Sequence, residues 1–461
     1  MAQPARMISH HDAPAPDPQR SRDPGLARTR EILGLVFGPS DERTFDIHLW
    51  DGSVDRSTSQ TRADFALHVC RRGALRRMLI RPSELSIVEA FISRDLDVSG
   101  NLESAMSLGD AVGSRIQSVS GAVKLLPKIL ALPADDVDPA LDAHRFQRPR
   151  LARASGRRAT ADEIEFHYGV GNDFYALWLD ERMIYSCAYY KSETDDLASA
   201  QTAKLDHICR KLRLMPGERL LDIGCGWGGL IQHAAEHYGV QALGITLSES
   251  QAAGARKSIE ARGLTDRCRV EIVDFRDLPT SQKFDKMSSV GVMEHVPEAE
   301  QPAYFARAHA LLEPGGLFMN HCIVSLSVAR SRNTLAERFN RWLWKRDQFI
   351  DKYVFPDGRI VSFGSLIKSA ELAGFETRDV ESLREHYTRT LRAWVATLQR
   401  RKEEAVAIVG ERTYRVWHLY MSASAHGFDS GSLGLVQTLL SKPSASGRSN
   451  LPLTREDLYR S

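Results

Sequence analysis

The sequence predicts an α/β protein: a doubly wound, Rossmann-like parallel sheet, with a smaller mixed α/β domain ahead of it. Three observations lead there. Between Leu205 and Asn320, apolar runs alternate with helical patterns in the rhythm of β–α–β crossovers. The first run, Leu220-Leu221-Asp222-Ile223, breaks into a glycine cluster, Gly224-Cys225-Gly226-Trp227-Gly228-Gly229, that opens a helix. The chain has 461 residues, room for two or three domains, and a basic stretch at 144–160 separates its two parts.

Taken in order, residues 1–28 mix prolines with charges and read as a disordered tail. Residues 29–143 read as the mixed α/β domain, of lipid-binding type. Short alternations run from Thr44 to His68 around an Asp51-Gly52 turn, helical segments from Leu75 to Ile92 are broken by Pro82, and an extended element spans Asp95 to Leu102. This domain shows no catalytic constellation. Gly121 to Leu132 sets Val123, Leu125, Leu126, Ile129 and Leu130 beside Lys124 and Lys128, an amphipathic helix that either packs on its own domain or lies on a membrane.

The linker at 144–160 carries Arg145, Arg148, Arg150, Arg153, Arg157 and Arg158. Net charge is only +2, so this positive density is local and suits either solvated chain or an anionic lipid surface. No nucleic-acid module accompanies it, so no nucleic-acid partner is expected. Residues 161–461 read as the catalytic domain. Strands are expected near 219–223, 240–246, 268–273, 284–290 and 316–322, and helices near 229–238, 248–263 and 300–312, the last ended by Gly315-Gly316. An insertion at 326–349 sets Phe339, Trp342, Leu343, Trp344 and Phe349 among arginines and lysines, as a packed face or an interfacial helix. A helix at 363–373, a strand at 375–381, helices at 386–409 and 412–425 and a strand at 432–441 follow.

The six cysteines are scattered without zinc-ligand spacing, so no metal is expected. No apolar run reaches 18 residues, and the N-terminus lacks the apolar core of a signal peptide. These features point to the cytoplasm.

The chemistry centres on the glycine cluster, which stands at the carboxyl end of the first strand, where open α/β sheets bind nucleotides. Gly224, Gly226 and Gly229 satisfy a dinucleotide spacing, but that use needs an acid at the tip of the second strand, and Val240–Thr246 ends without one. The acid instead lies within the motif, as Asp222. Apolar-Asp-x-Gly-x-Gly-x-Gly is the first motif of S-adenosylmethionine (SAM) methyltransferases. A nucleotide oxidoreductase and a ligand-free turn are the alternatives. Two further acids stand at strand ends, Asp274 and Glu294, and Thr246 closes the second strand. Aromatic, Asn and Gly residues interleave in Phe166–Tyr175 and Tyr185–Tyr190, as in a loop folded over a ligand.

With these motifs the chain resembles the cyclopropane fatty acid synthases, a SAM-dependent family that includes the mycolic acid cyclopropane synthases. The resemblance runs from about residue 75 to the C-terminus and is densest over 166–325. It implies methylene transfer from SAM to the cis double bond of an unsaturated phospholipid acyl chain, with ring closure and a bound bicarbonate as base. It implies that Cys187 and the backbone of Ile323 hold the ion, that Glu294 orients it, and that His321 and Tyr387 complete the cage. Tyr168, Tyr185 and Ser186 would close over SAM, and Asp222, Gly224, Gly226 and Trp227 would form its floor. Thr246, Leu247 and Gln251 would meet the ribose, with Asp274 and Phe275 flanking the adenine. Gly169 stands where the family usually has Asp, and Ser424 where several members have Cys.

The resemblance further implies peripheral association with the inner face of the membrane, and it leaves room for a homodimer. Two rivals stand beside ring formation. One is a relative that gives a methylene-, methyl-branched or hydroxylated chain; the other is an inactive lipid-binding protein. If the arginine-rich segments meet lipid, vesicle binding requires anionic headgroups and weakens as salt is raised. Sedimentation with vesicles at increasing ionic strength measures this, and salt-insensitive binding refutes it.

Overall fold

The computed structural model describes residues 23–80, 83–108, 126–136, 170–326, 348–354, 360–449 and 451–459. Tyr168, Gly169, the 144–160 linker and nearly all of the 326–349 insertion lie outside them. The chain divides into two compact units, Met1–Gln147 with Asn333–Gln348, and Arg148–Arg332 with Phe349–Ser461.

In the first unit, helix α1 spans Pro24–Phe37. The expected tail therefore ends sooner than residue 28. Asp23 accepts from the Gly25 N–H as N-cap, and a proline in the first turn needs no N–H partner, so the helix starts there. Strands β1 (Ile47–Leu49), β2 (Val54–Asp55), β3 (Phe65–Val69) and β4 (Leu96–Gly100) form a sheet of order β2-β1-β3-β4. Helices α2 (Ala74–Leu79) and α3 (Glu84–Ile92) join β3 to β4. The candidate amphipathic helix is described only from residue 126. There Ile129 and Leu132 are buried in this unit's core, while Leu126 and Leu130 are exposed.

The second unit begins its described part with α4 (Asn172–Ala176) and α5 (Leu197–Leu212). The winding proper follows: β5 (Arg219–Ile223), α6 (Gly229–Tyr238), β6 (Gln241–Thr246), α7 (Glu249–Ala261), β7 (Cys268–Ile272), β8 (Phe284–Val290), α8 (Gln301–Leu311) and β9 (Leu312–Ser325). A two-residue strand β10 (Val361–Ser362), α9 (Phe363–Leu372), β11 (Glu376–Ser382), α10 (Arg384–Arg400), α11 (Lys402–Asp429) and β12 (Leu433–Ser441) complete it. The sheet order is β11-β12-β9-β8-β5-β6-β7, with β10 paired to β9. Strands β5 to β9 are mutually parallel, whereas β12 runs antiparallel between β9 and β11.

The four residues Leu220–Ile223 are all buried because helices cover both faces of the sheet. On one face Leu205, Ile208 and Leu212 of α5 pack with Ile231 and Ala234 of α6 and with Ala255 of α7. On the other, Phe305, Ala308 and Leu311 of α8 pack with Leu366 and Ala370 of α9. Two boundaries differ from expectation. Helix α8 ends at Leu311, within a residue of the expected end, but β9 begins at Leu312, ahead of the expected 316, because Pro314 disfavours a helical Glu313 and turns the chain into the strand. The helix expected over 386–409 breaks at Arg401, while the break expected between 409 and 412 is found at Gly410, whose φ of 78° lies outside helical space.

Behind the sheet edge lies a buried ionic cluster. Lys211 of α5 sits 2.6 Å from Glu381 and 3.3 Å from Asp379 of β11, and His207 meets Glu381 at 2.7 Å. Burial raises the Glu381 pKa, but the hydrogen bond from His207 and the charge of Lys211 outweigh it and hold it at about 2. A carboxylate held below its unfolded value of 4.5 stabilises the fold above that pH and loses the contribution as pH falls toward 2. Lys211→Met leaves two carboxylates without their ammonium and costs about 3 kcal/mol. Urea denaturation measures this at neutral pH, and a loss indistinguishable from zero refutes it.

Candidate active site

The floor of the site is the β5–α6 turn. Gly224 has φ of +71°, and a Cβ there would lie 2.4 Å from Val292 Cγ2. The N–H groups of Gly224 and Cys225 both donate to the Ile245 carbonyl at 2.9 Å, tying the turn to the end of β6. Above it opens a cavity of about 630 Å³. Its walls include eleven of the twelve residues expected around the donor: Tyr185, Ser186, Asp222, Gly224, Gly226, Trp227, Thr246, Leu247, Gln251, Asp274 and Phe275. The twelfth, Tyr168, is outside the described residues.

Each wall is held by a specific bond. Asp222 accepts from the Ser288 hydroxyl at 2.7 Å, and burial pushes its pKa up to about 7. The Thr246 hydroxyl donates to Gln251 Oε1 at 2.9 Å. Asp274 is gripped by Arg276, whose Nη2 lies 2.7 Å from Oδ2, and Arg307 Nε donates to the Phe275 carbonyl at 2.7 Å. Trp227 Nε1 donates to Asn172 Oδ1 at 2.9 Å. The Tyr185–Tyr190 segment is anchored from two helices. Gln201 of α5 donates to the Ser186 carbonyl at 2.9 Å, while Ala188 N–H donates to Thr390 and Tyr190 N–H to His386 of α10, each at 3.0 Å.

The five residues expected at the ion cage are not on the cavity wall, but each is tied to it. Cys187 follows Ser186, Glu294 precedes His295, and His321 of β9 stands opposite Val290 of β8. Glu294 Oε1 accepts from the Ile323 N–H at 2.7 Å, while Oε2 is buried with no hydrogen-bond partner among the described residues. Burial raises the Glu294 pKa to about 7. It lowers that of His321 to about 3, helped by the charges of Lys204 and Lys211, so the imidazole is neutral. The Gln437 amide nitrogen lies 3.1 Å from His321 Nδ1, which leaves the proton on Nε2, and that atom too is buried without a partner among the described residues.

Cys187, Ile323 and Tyr387 share one apolar cluster with Tyr185, Trp178, Trp394 and Trp417. Burial pushes the Cys187 thiol far up, so it stays protonated and is no nucleophile. Its sulfur lies 3.2 Å from the Ala188 carbonyl. Tyr387 packs edge-on against Trp394 and near Phe428. Ser424 hydrogen-bonds Tyr420, which also bonds Tyr185.

Sequence reasoning missed Lys204, Arg276, His295, Tyr304 and Arg307, all on the cavity wall. For Lys204 a signal existed: with Gln201 it interrupts the apolar face of α5 between Ala200 and Ile208. Among the described residues no cluster could hold a metal, and no helix is long and apolar enough to cross a membrane.

Comparison with known proteins bears on this arrangement. The family described as mycolic acid cyclopropane synthetase matches residues 155–438. The "Probable fatty acid methyltransferase" of Pseudomonas putida is 43% identical over 327 residues, covering 71% of this chain and 80% of its own. The cyclopropane-fatty-acyl-phospholipid synthase of Escherichia coli K12 is 36% identical over 301 residues, covering 65% of this chain and 73% of its own. A crystal structure of the mycolic acid cyclopropane synthase CmaA1 complexed with SAH and CTAB is 32% identical, covers 61% of this chain and 97% of its own, and superposes with a TM-score of 0.56.

Gly224→Ala places a methyl against Val292 and in left-handed backbone, a strain of about 1–2 kcal/mol that weakens SAM binding about tenfold or more. Calorimetric titration with SAM checks this, and unchanged affinity would move the donor away from this turn.

Proposed function

The chain belongs to the mycolic acid cyclopropane synthetase family and is a SAM-dependent methyltransferase, and from that premise we propose that it converts cis double bonds of unsaturated phospholipid acyl chains into cyclopropane rings, with bicarbonate as base. The observation that carries this reading is Glu294, whose Oε1 takes the N–H of Ile323, a residue packed on the aromatic cluster that adjoins the donor cavity, while its Oε2 is buried with no partner among the described residues. Buried polar groups find partners, so an unpartnered acceptor on Glu294 and an unpartnered N–H on His321 suit a small ion able both to donate and to accept. A protonated Cys187 and a neutral His321 also suit a cage that positions a base rather than attacking the substrate.

In this reading SAM supplies a methyl on a sulfonium, and bicarbonate supplies the base that takes a proton from it after transfer. The protein's own residues do the rest. Gly224 and Gly226 let the donor lie on the backbone. Tyr185 and Trp227, which line the cavity and belong to the aromatic cluster, separate the donor from water. Exclusion of water matters because a cation formed from the alkene would otherwise be captured as an alcohol. Glu294, fixed by the Ile323 N–H, orients the base, and His321 offers it an Nε2–H whose tautomer Gln437 sets.

A second reading has its own support, since the 43% identical relative is called a probable fatty acid methyltransferase. The same donor site and alkene would then yield a branched chain. The arginine-rich segments, as a contact to the inner face of the membrane, and a homodimer belong with these proposals.

Glu294→Gln keeps the shape of the site but cannot accept through two anionic oxygens, and it lowers methyl transfer from labelled SAM to vesicles of unsaturated phospholipid by about 100-fold or more. SAM affinity stays within about threefold by calorimetry, because Glu294 is off the cavity wall. Loss of SAM binding refutes the assignment of Glu294. Wild-type product that resists hydrogenation supports the ring, and product that hydrogenation saturates transfers support to the branched chain.

A further inference from the structure

Lys204 lies on the inner face of α5 and is 2% exposed, yet it reaches the wall of the donor cavity. Its ammonium donates to the Ser186 hydroxyl at 2.8 Å, a neutral acceptor. Among the described residues no carboxylate lies within ion-pair distance of it, although Asp180 and Asp222 act on it through space. An ammonium has three N–H donors. Leaving one buried without an anion costs several kcal/mol. Burial lowers its pKa only to about 8, so it is charged at neutral pH.

The other strong cations on the wall are already engaged. Arg276 holds Asp274 through both carboxylate oxygens, and Arg307 binds the carbonyls of Phe275 and Leu278. Both belong to the end of the cavity expected to take the adenine. Lys204 instead keeps Ser186, with Asp222 acting on it through space, and shares the cavity wall with the glycine turn that follows Asp222. A ligand that brings an anion there would complete its coordination.

We propose that Lys204 binds the α-carboxylate of the methyl donor and so fixes the amino-acid end of SAM in the cavity. The proposal rests on the cavity being the donor site. Asp222 shares the wall with Lys204, and a donor ammonium beside it favours its charged form, so the two opposite charges of the donor's amino-acid group face an acid and a base of the protein. Ser186 then works through Lys204, holding the ammonium on the cavity side of α5.

The test is calorimetric titration of the full-length wild type and of Lys204→Met with S-adenosylhomocysteine, its carboxamide, and methylthioadenosine, which lacks the amino-acid group. The wild type is expected to bind S-adenosylhomocysteine at least about 30-fold more tightly than the uncharged carboxamide. Lys204→Met loses that preference while binding methylthioadenosine within about twofold of wild type. Equal wild-type affinity for the acid and its carboxamide overturns the proposal, as does a variant that weakens all three ligands alike. If the variant does not fold, the wild-type comparison alone decides. If none of the three ligands binds the wild type, the donor-site reading itself fails, and this proposal with it.

Discussion

Two N–H groups in succession, those of Gly224 and Cys225, share the Ile245 carbonyl as acceptor. That pair of bonds fastens the end of β5 to the end of β6 and forces the chain between them to bulge outward with its backbone bare. Val292 fills the space behind Gly224 so closely that no side chain fits there. The rest of the site is arranged around this bare patch of main chain. Helix α5 brings Gln201 and Lys204 toward it from one side, and α10 holds the Tyr185–Tyr190 segment from the other with Thr390 and His386.

That segment is braced from behind as well as from its ends. The Tyr189 ring lies between the imidazoles of His207 and His386, at 4.2 and 4.9 Å and nearly parallel to both. His207 in turn meets Glu381, which Lys211 also holds. A stack of flat groups seated on a buried ionic cluster is hard to shear. It gives the preceding residues, Ser186 and Cys187, a fixed platform between the cavity and the aromatic cluster.

The winding was legible because a buried parallel strand leaves a continuous apolar run, as Leu220–Ile223 does, and because Asp222 inside a glycine motif distinguishes one ligand class from another. The acids at strand ends were legible for a related reason: Asp274 and Glu294 follow apolar runs where a charge is otherwise unwelcome. What escaped was set by partners distant in sequence. Nothing local announces that β12 runs antiparallel; its direction follows from α11 returning the chain to the far end of β9. The early start of β9 was hidden because Gly315 and Gly316 read as a break, whereas the chain is already extended on both sides of Pro314. Lys204 was easy to pass over, since a lysine on a helix is ordinarily solvated, and its one local signal was the interruption of an apolar face of α5 that the packed structure buries.

The antiparallel strand β12 inserts between β9 and β11 and sets Gln437 directly across from His321. The hydrogen-bond partner of His321 is thus contributed more than a hundred residues after it. The tautomer of His321 is therefore chosen by a side chain on the strand beside it, far along the sequence. The proton on one strand is thus placed by the register of its antiparallel neighbour: a slip of β12 by one residue would carry the amide away from the ring and leave either nitrogen free to hold it.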